Sequence, residues 1–206
     1  MRHLLTITLI VAVIFVAYFL TRPKANAPLS APEGVESPVP LENDALTLYR
    51  DESLGLSFTY PSGDAGYVVR DPRIAEREAE KTIVLVHAAD AAVYDTPAAD
   101  GELPPTLSIV VYDNASKQFP GAWAESHTAQ SGYGQKIGDA EDLVVGGANA
   151  IRYAADGLYR ASVTVIAHGS RIYVVRGEYL DEASPIYRDY ESLLDSITFV
   201  PAPGEF

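Results

Sequence analysis

Two segments near the carboxyl end, Tyr159 to Ala167 and Ile172 to Tyr179, are separated only by His168-Gly169-Ser170-Arg171. In the first, Tyr159, Ala161, Val163, Val165 and Ala167 alternate with Arg160, Ser162 and Thr164. A period of two puts successive side chains on opposite faces of a strand. Gly169-Ser170 suits the two-residue turn that closes a hairpin. The pattern predicts an antiparallel pair with one apolar face and, at Arg160, Ser162 and Thr164, one wet face.

The same period recurs upstream. Leu54, Leu56, Phe58 and Tyr60 alternate with Gly55, Ser57 and Thr59, and Pro61 ends the run. Thr82 to His87 and Thr106 to Tyr112 are β-branched runs, joined by a long acidic loop from Ala88 to Pro105. Val144 to Tyr153 reads as two short strands broken at Gly146-Gly147, where glycines permit a tight turn. Helices are fewer. Ser184 can cap, Pro185 suits the first helical position, and Ile186, Tyr190, Leu193, Leu194 and Ile197 form an apolar stripe. A second helix starts near Pro120 and carries Trp123, and Thr198-Phe199-Val200 forms a last short strand. The expected fold is α+β, an antiparallel β-sheet with helices packed on its faces.

The amino-terminal quarter follows different rules. Leu4 to Leu20 is uncharged and apolar but for Thr6, Thr8 and Tyr18. As a helix it is about 26 Å long, close to the ~30 Å hydrocarbon core of a bilayer. Ala25-Asn26-Ala27 would suit a signal peptidase, but Pro28 follows directly and distorts the backbone that enzyme must bind. Residues 4–20 are therefore expected to be an uncleaved transmembrane helix. Residues 21–44 contain Pro23, Pro28, Pro32, Pro38 and Pro40 among small and acidic residues, the composition of an extended spacer. The folded domain is expected over 45–201, with a tail at 202–206. Arg2 precedes the apolar run and Arg22 and Lys24 follow it, so the charge rule for orientation is nearly balanced. A short basic start before an apolar run is the usual export signal. The expected placement is the cell membrane, single-pass, with the amino terminus cytoplasmic and an extracytoplasmic linker and domain.

Composition removes several functions. The 206 residues carry 15 basic and 28 acidic side chains, a net charge of −13, and every acid lies beyond Pro28. A nucleic-acid binder needs a clustered basic surface to neutralise phosphates, and the sequence has none. With no cysteine there is no disulfide scaffold, thiol nucleophile or thiolate zinc site.

Three segments resemble PsbP-like domains. The first is Tyr49-Arg50-Asp51-Glu52-Ser53-Leu54-Gly55-Leu56-Ser57-Phe58-Thr59-Tyr60-Pro61, with its glycine-aliphatic step and terminal Tyr-Pro. The second runs from Tyr190 through Leu193-Leu194-Asp195-Ser196-Ile197-Thr198-Phe199, similar to the family's closing helix and strand. The third is the Trp123 helix after a central strand. One departure is that Ser62-Gly63-Asp64 follows the Tyr-Pro where such domains place a tryptophan. The resemblance implies an antiparallel sheet sandwiched by helices and a non-catalytic binding or assembly role, as for the extrinsic photosystem II subunit in chloroplasts. Fold likeness does not supply a ligand.

Candidate chemistry is sparse. His3, His87, His127 and His168 have no zinc spacing, and no HExxH is present. His87 with Asp90 and a distant serine is an example of a constellation that folding could assemble, without the Gly-x-Ser-x-Gly elbow. Asp95 to Glu102, Asp139-Glu141-Asp142 and Asp181-Glu182 are acidic clusters without EF-hand spacing. Tyr153, Tyr159, Tyr173 and Tyr179 are candidates for an aromatic platform, though half-buried strands favour tyrosine anyway. Gly146-Gly147 lacks the surroundings of a phosphate loop, and Asn114-Ala115-Ser116 fits a glycosylation sequon. No catalytic, cofactor-binding or metal residue is assigned. The expected function is a membrane-anchored, extracytoplasmic, non-catalytic module with a protein or envelope partner. The alternatives are an extracytoplasmic hydrolase and a weakly calcium-responsive domain.

Overall fold

A computed structural model describes residues 46–96 and 101–200. The expected anchor at 4–20, spacer at 21–44 and tail at 202–206 lie outside them. No helix among the described residues is long and apolar enough to cross a membrane.

The chain runs β1 (Leu46–Asp51), β2 (Leu56–Pro61), β3 (Tyr67–Arg70) and β4 (Ala79–His87). A 3-10 turn at Ala88–Asp90 then leads into α1 (Ala91–Asp95), followed by β5 (Thr106–Asp113), α2 (Pro120–Ser126) and α3 (Thr128–Ser131). A 3-10 turn at Tyr133–Gln135 opens β6 (Lys136–Val145), β7 (Ala148–Asp156), β8 (Arg160–His168) and β9 (Arg171–Tyr179). The chain closes with α4 (Pro185–Ser196) and β10 (Thr198–Phe199). The fold is α+β with antiparallel pairing throughout, but it has two sheets where one was expected. Seven strands lie in the order β3-β4-β5-β9-β8-β7-β6, and three in the order β1-β2-β10. The small sheet joins both ends of the domain, since Thr198 pairs with Ser57 and Phe199 with Leu56.

Turn chemistry sets the registers. His168 pairs with Arg171, leaving Gly169-Ser170 as the expected two-residue loop, with Gly169 at φ +59°. Gly146 and Gly147 both take left-handed φ, +56° and +82°, and connect β6 to β7. A side chain at Gly146 would also meet the Ile197 carbonyl at 2.9 Å. β6 extends back to Lys136, well before the expected strand, with a register irregularity between Ile137 and Glu141. Its exposed acidic stretch carries no apolar alternation, because an edge strand that buries little needs none.

The first face of the large sheet is closed. Leu56, Phe58 and Tyr60 of β2 and Ile186, Tyr190, Leu193 and Leu194 of α4 pack with Ile83, Leu85, Leu107, Ile109, Ile166, Tyr173 and Val175. The stripe expected on α4 is the buried one. Ser184 occupies the cap position, but its side chain makes no capping hydrogen bond. Of the expected wet face of β8 only Arg160 is exposed: Thr164 and Ile166 are fully buried and Ser162 nearly so. Tyr190 accounts for this. Its ring packs so closely on Gly177 that a Cβ there would lie 2.9 Å from Cδ2, and its hydroxyl lies 2.6 Å from Thr164 Oγ1. A hydroxyl on a strand reads as solvent-facing only while nothing elsewhere offers it a partner.

The second face has two separate covers. Trp123 and Ala124 of α2 lie over Tyr112, Ile151, Tyr153, Val163 and Val165. Tyr94 of α1, within the expected loop from Ala88 to Pro105, lies over Val84 and Val86.

Candidate functional site

The two covers do not meet. Between them β4, β5 and β9 leave an open-sided groove of about 260 Å³. Its floor comprises Thr82 and Val84 from β4, Thr106, Ser108 and Val110 from β5, and Val174, Arg176 and Glu178 from β9. These residues share a face because each is two positions from the next along its strand. The register sets Ser108 opposite Arg176 and Val110 opposite Val174. A neighbouring hollow of about 300 Å³ over Ala155 and Ala161 shares Leu103, Pro104, Arg176 and Glu178 with the groove. Arg176 therefore lines both.

The walls are loops and a short helix, held by specific bonds. The Arg73 guanidinium donates to the carbonyls of Tyr94 (2.9 Å) and Asp95 (2.8 Å), satisfying the end of α1. Tyr94 Oη donates to the Asp71 carbonyl at 3.1 Å. Arg70 Nε and Nη2 grip the Asp95 carboxylate at 2.9 to 3.2 Å. On the far side Tyr159 Oη donates to the Leu103 carbonyl at 2.8 Å.

Two groups on this face lack partners. Every other arginine among the described residues has an ion pair or a hydrogen bond. Half-buried Arg176 has neither among those residues. Its guanidinium presses on Gly132, where a Cβ would lie 2.9 Å from a terminal nitrogen and φ is +73°. The second group is Tyr112, next after Val110 in the floor row of β5. It is 3% exposed, its ring centroid is 5.2 Å from that of Trp123, and its hydroxyl is the one buried side-chain polar atom among the described residues with no partner. Burial pushes the phenol up to about 12; the Glu76 charge acts in the same direction and Arg176 opposes it. At neutral pH Tyr112 is thus a protonated donor.

Scanned against known protein families and curated proteins, the sequence finds no match. The solution structure of cyanobacterial PsbP from Synechocystis sp. PCC 6803 superimposes with a TM-score of 0.53 at 12% identity, over 81% of this chain and 99% of that one. The fold is PsbP-like. A crystal structure from Bacteroides thetaiotaomicron VPI-5482 is matched at 11% identity over 76% of this chain and 50% of that one, with a TM-score of 0.45. Two of the segments that carry the sequence resemblance meet in this PsbP-like fold: β2 pairs with β10, and Val200 N donates to the Gly55 carbonyl at 2.8 Å. Where a tryptophan is absent after the Tyr-Pro, Gly63 takes φ +90° and its carbonyl accepts from Gly66 N.

None of the residues singled out from sequence lines the groove except Tyr159, in the neighbouring hollow. His3 lies outside the described residues. His87 Nδ1 accepts from Ala89 N at 3.3 Å, and its ring meets Tyr67 edge-on. His127 stacks on Trp123 at 4.5 Å with Nδ1 3.0 Å from the Trp123 carbonyl, and His168 stacks on Phe199 at 4.4 Å. Each described histidine packs on an aromatic ring. Asp95 is taken by Arg70, Glu141 by Arg152, Glu182 by Arg160, and Asp181 accepts from Ala183 N. Among the described residues no three His, Asp or Glu side chains gather as a metal site would require. The four tyrosines form no platform, because Tyr153 and Tyr173 belong to cores on opposite faces of the sheet. Asn114 of the sequon is buried, with its amide bonded to Gln118 on both sides. Arg176 was missed although it was legible: Ile172, Val174 and Arg176 share one parity, so an arginine continues an apolar row.

Proposed function

We propose that this chain is a membrane-anchored, extracytoplasmic binding or assembly module that holds its ligand in the groove without transforming it. The groove carries this reading: an open concavity at the centre of the sheet, with clamped walls and, on its floor, a cation that has no partner among the described residues. Concave sites with few polar groups on a largely apolar lining are the usual form of a binding site. The apolar run at 4–20 and the proline-rich spacer at 21–44 support a tether, with the amino terminus in the cytoplasm and the domain outside. The likeness to PsbP-like domains, non-catalytic in the roles the resemblance implies, supports the absence of turnover.

The test uses the full-length chain in its native envelope. A photo-crosslinking amino acid is placed at Ile74, an exposed rim residue, or at Leu180, equally exposed and not lining the groove. A discrete adduct from Ile74 and none from Leu180 is the expected result. Equal labelling from both positions, or none from either, defeats the reading. Protease treatment of intact cells tests the topology; a domain that survives until the membrane is opened reverses the orientation.

A further inference from the structure

We infer that the groove binds a small aliphatic carboxylate, with the carboxylate on the Arg176 guanidinium and the alkyl body along Val84, Val110 and Val174. This rests on the groove being the binding site.

The first support is that Arg176 has no ion pair or hydrogen bond among the described residues. The chain has 28 acidic side chains, and the other described arginines find a carboxylate or a carbonyl. A cation held half-buried without a partner is unfavourable, and removing it from water is worthwhile only when an anion arrives. A planar guanidinium matches a carboxylate with two parallel hydrogen bonds. The second support is independent of that cation's pairing. Tyr112 Oη is a buried donor without an acceptor among the described residues, and it lies within electrostatic reach of Arg176 and Glu76, both of which line the groove. Tyr112 itself does not line the groove, but Val110, the preceding residue on the same face of β5, does, so an oxyanion on Arg176 brings an acceptor toward that hydroxyl.

Size and charge narrow the class. A volume of about 260 Å³ falls just under the ~300–1,000 Å³ range typical of drug-sized ligands, so the occupant is small. Glu76 and Glu178 line the groove together with Arg176 and with Arg73, whose guanidinium is already held by two carbonyls. Inorganic phosphate has no alkyl body to lay on the valines, so it forgoes the apolar part of the site. The valine floor, with Ile74 and Leu103 on the rims, accepts an alkyl chain.

The experiment titrates hexanoate into the full-length chain in lipid nanodiscs, by calorimetry and by the emission of Trp123, the chain's sole tryptophan, which stacks near Tyr112. Saturable binding of hexanoate is expected, with hexanamide and inorganic phosphate at least tenfold weaker. Arg176→Gln should weaken hexanoate at least tenfold. Tyr112→Phe should weaken it severalfold and reduce the emission change, while Arg160→Gln, outside the groove, leaves it unaltered. N-acetyl-Gly-Leu with a free carboxyl terminus, against its amide, separates a peptide end from a free acid as the source: tighter binding than hexanoate assigns the peptide end. Absence of heat with hexanoate, equal binding of hexanoate and hexanamide, or indifference to Arg176→Gln overturns the inference. Should Arg176→Gln fail to fold, the acid-against-amide comparison on the unaltered chain decides. Crosslinking at Ile74 without hexanoate binding removes the carboxylate and leaves the binding module standing.

Discussion

The two faces of the seven-stranded sheet draw on the same kinds of residue and finish them differently. On the first face the deeply buried hydroxyls are partnered: Thr164 with Tyr190, Tyr173 Oη with the Leu54 carbonyl at 2.8 Å, and Tyr67 Oη with Asp189 at 3.0 Å. On the second face Tyr153 donates to the Ser131 carbonyl at 2.8 Å, but Tyr112 and Arg176 are left over. The difference lies in the cover. A twelve-residue helix and a small sheet seal the first face, whereas on the second the described residues place only short helices at the two ends. A sealed face must satisfy its polar groups internally, and an open one can leave them for something that arrives later.

The sharpest break of this contrast is Tyr190→Ala. Removing the ring that covers Gly177 and Thr164 should cost about 4 kcal/mol, in the range for large aromatic truncations in cores, read as a lower urea midpoint. A loss below about 1 kcal/mol would mean that the first face is not sealed.

Alkali tests both faces together. Burial pushes Tyr112 and Tyr153 up to about 12, and it raises Tyr67 and Tyr190 further still. Above about 10 the unfolded chain ionises these phenols and the folded chain does not. Stability is therefore intact below pH ~10 and falls as pH rises toward ~12. Tyrosinate absorbance from the buried residues should appear together with loss of circular dichroism, in one cooperative step. Buried phenols that titrate while the fold persists would contradict the packing.

Two phenylalanine substitutions then give the same chemical change on opposite faces. Tyr190→Phe strands Thr164 Oγ1 in a dry site and should cost about 1–2 kcal/mol. Tyr112→Phe removes a hydroxyl that bonds nothing in the described residues, so its stability should stay within about 0.5 kcal/mol of the parent or rise slightly. Equal losses would erase the distinction between the faces.

Much of the fold was legible wherever a strand or helix buries one clear stripe. The β8–β9 hairpin, its Gly169-Ser170 turn, the Gly146-Gly147 reversal and the stripe of α4 follow from period and turn chemistry alone. β3, four residues long, and the edge strand β6 were illegible in whole or part, because neither buries enough to impose a pattern. The candidate site was less visible. The groove exists only because α1 and α2 stop short of each other, and that gap has no local signature. Arg176 stood in an apolar row, yet its lack of a partner depends on where residues far apart in sequence, such as Arg171 and Glu80, find one another.

The amino-acid order by itself determined which residues alternate, where the chain reverses and how the acidic charge is distributed, since these depend on backbone sterics and on neighbours a few positions away. Only the tertiary structure decided that Thr164 is dry, that Tyr153 and Tyr173 face opposite ways across one sheet, and that one arginine between two covers has no partner among the described residues. Burial and pairing are properties of surfaces brought together from distant parts of the chain, and no short window contains both partners.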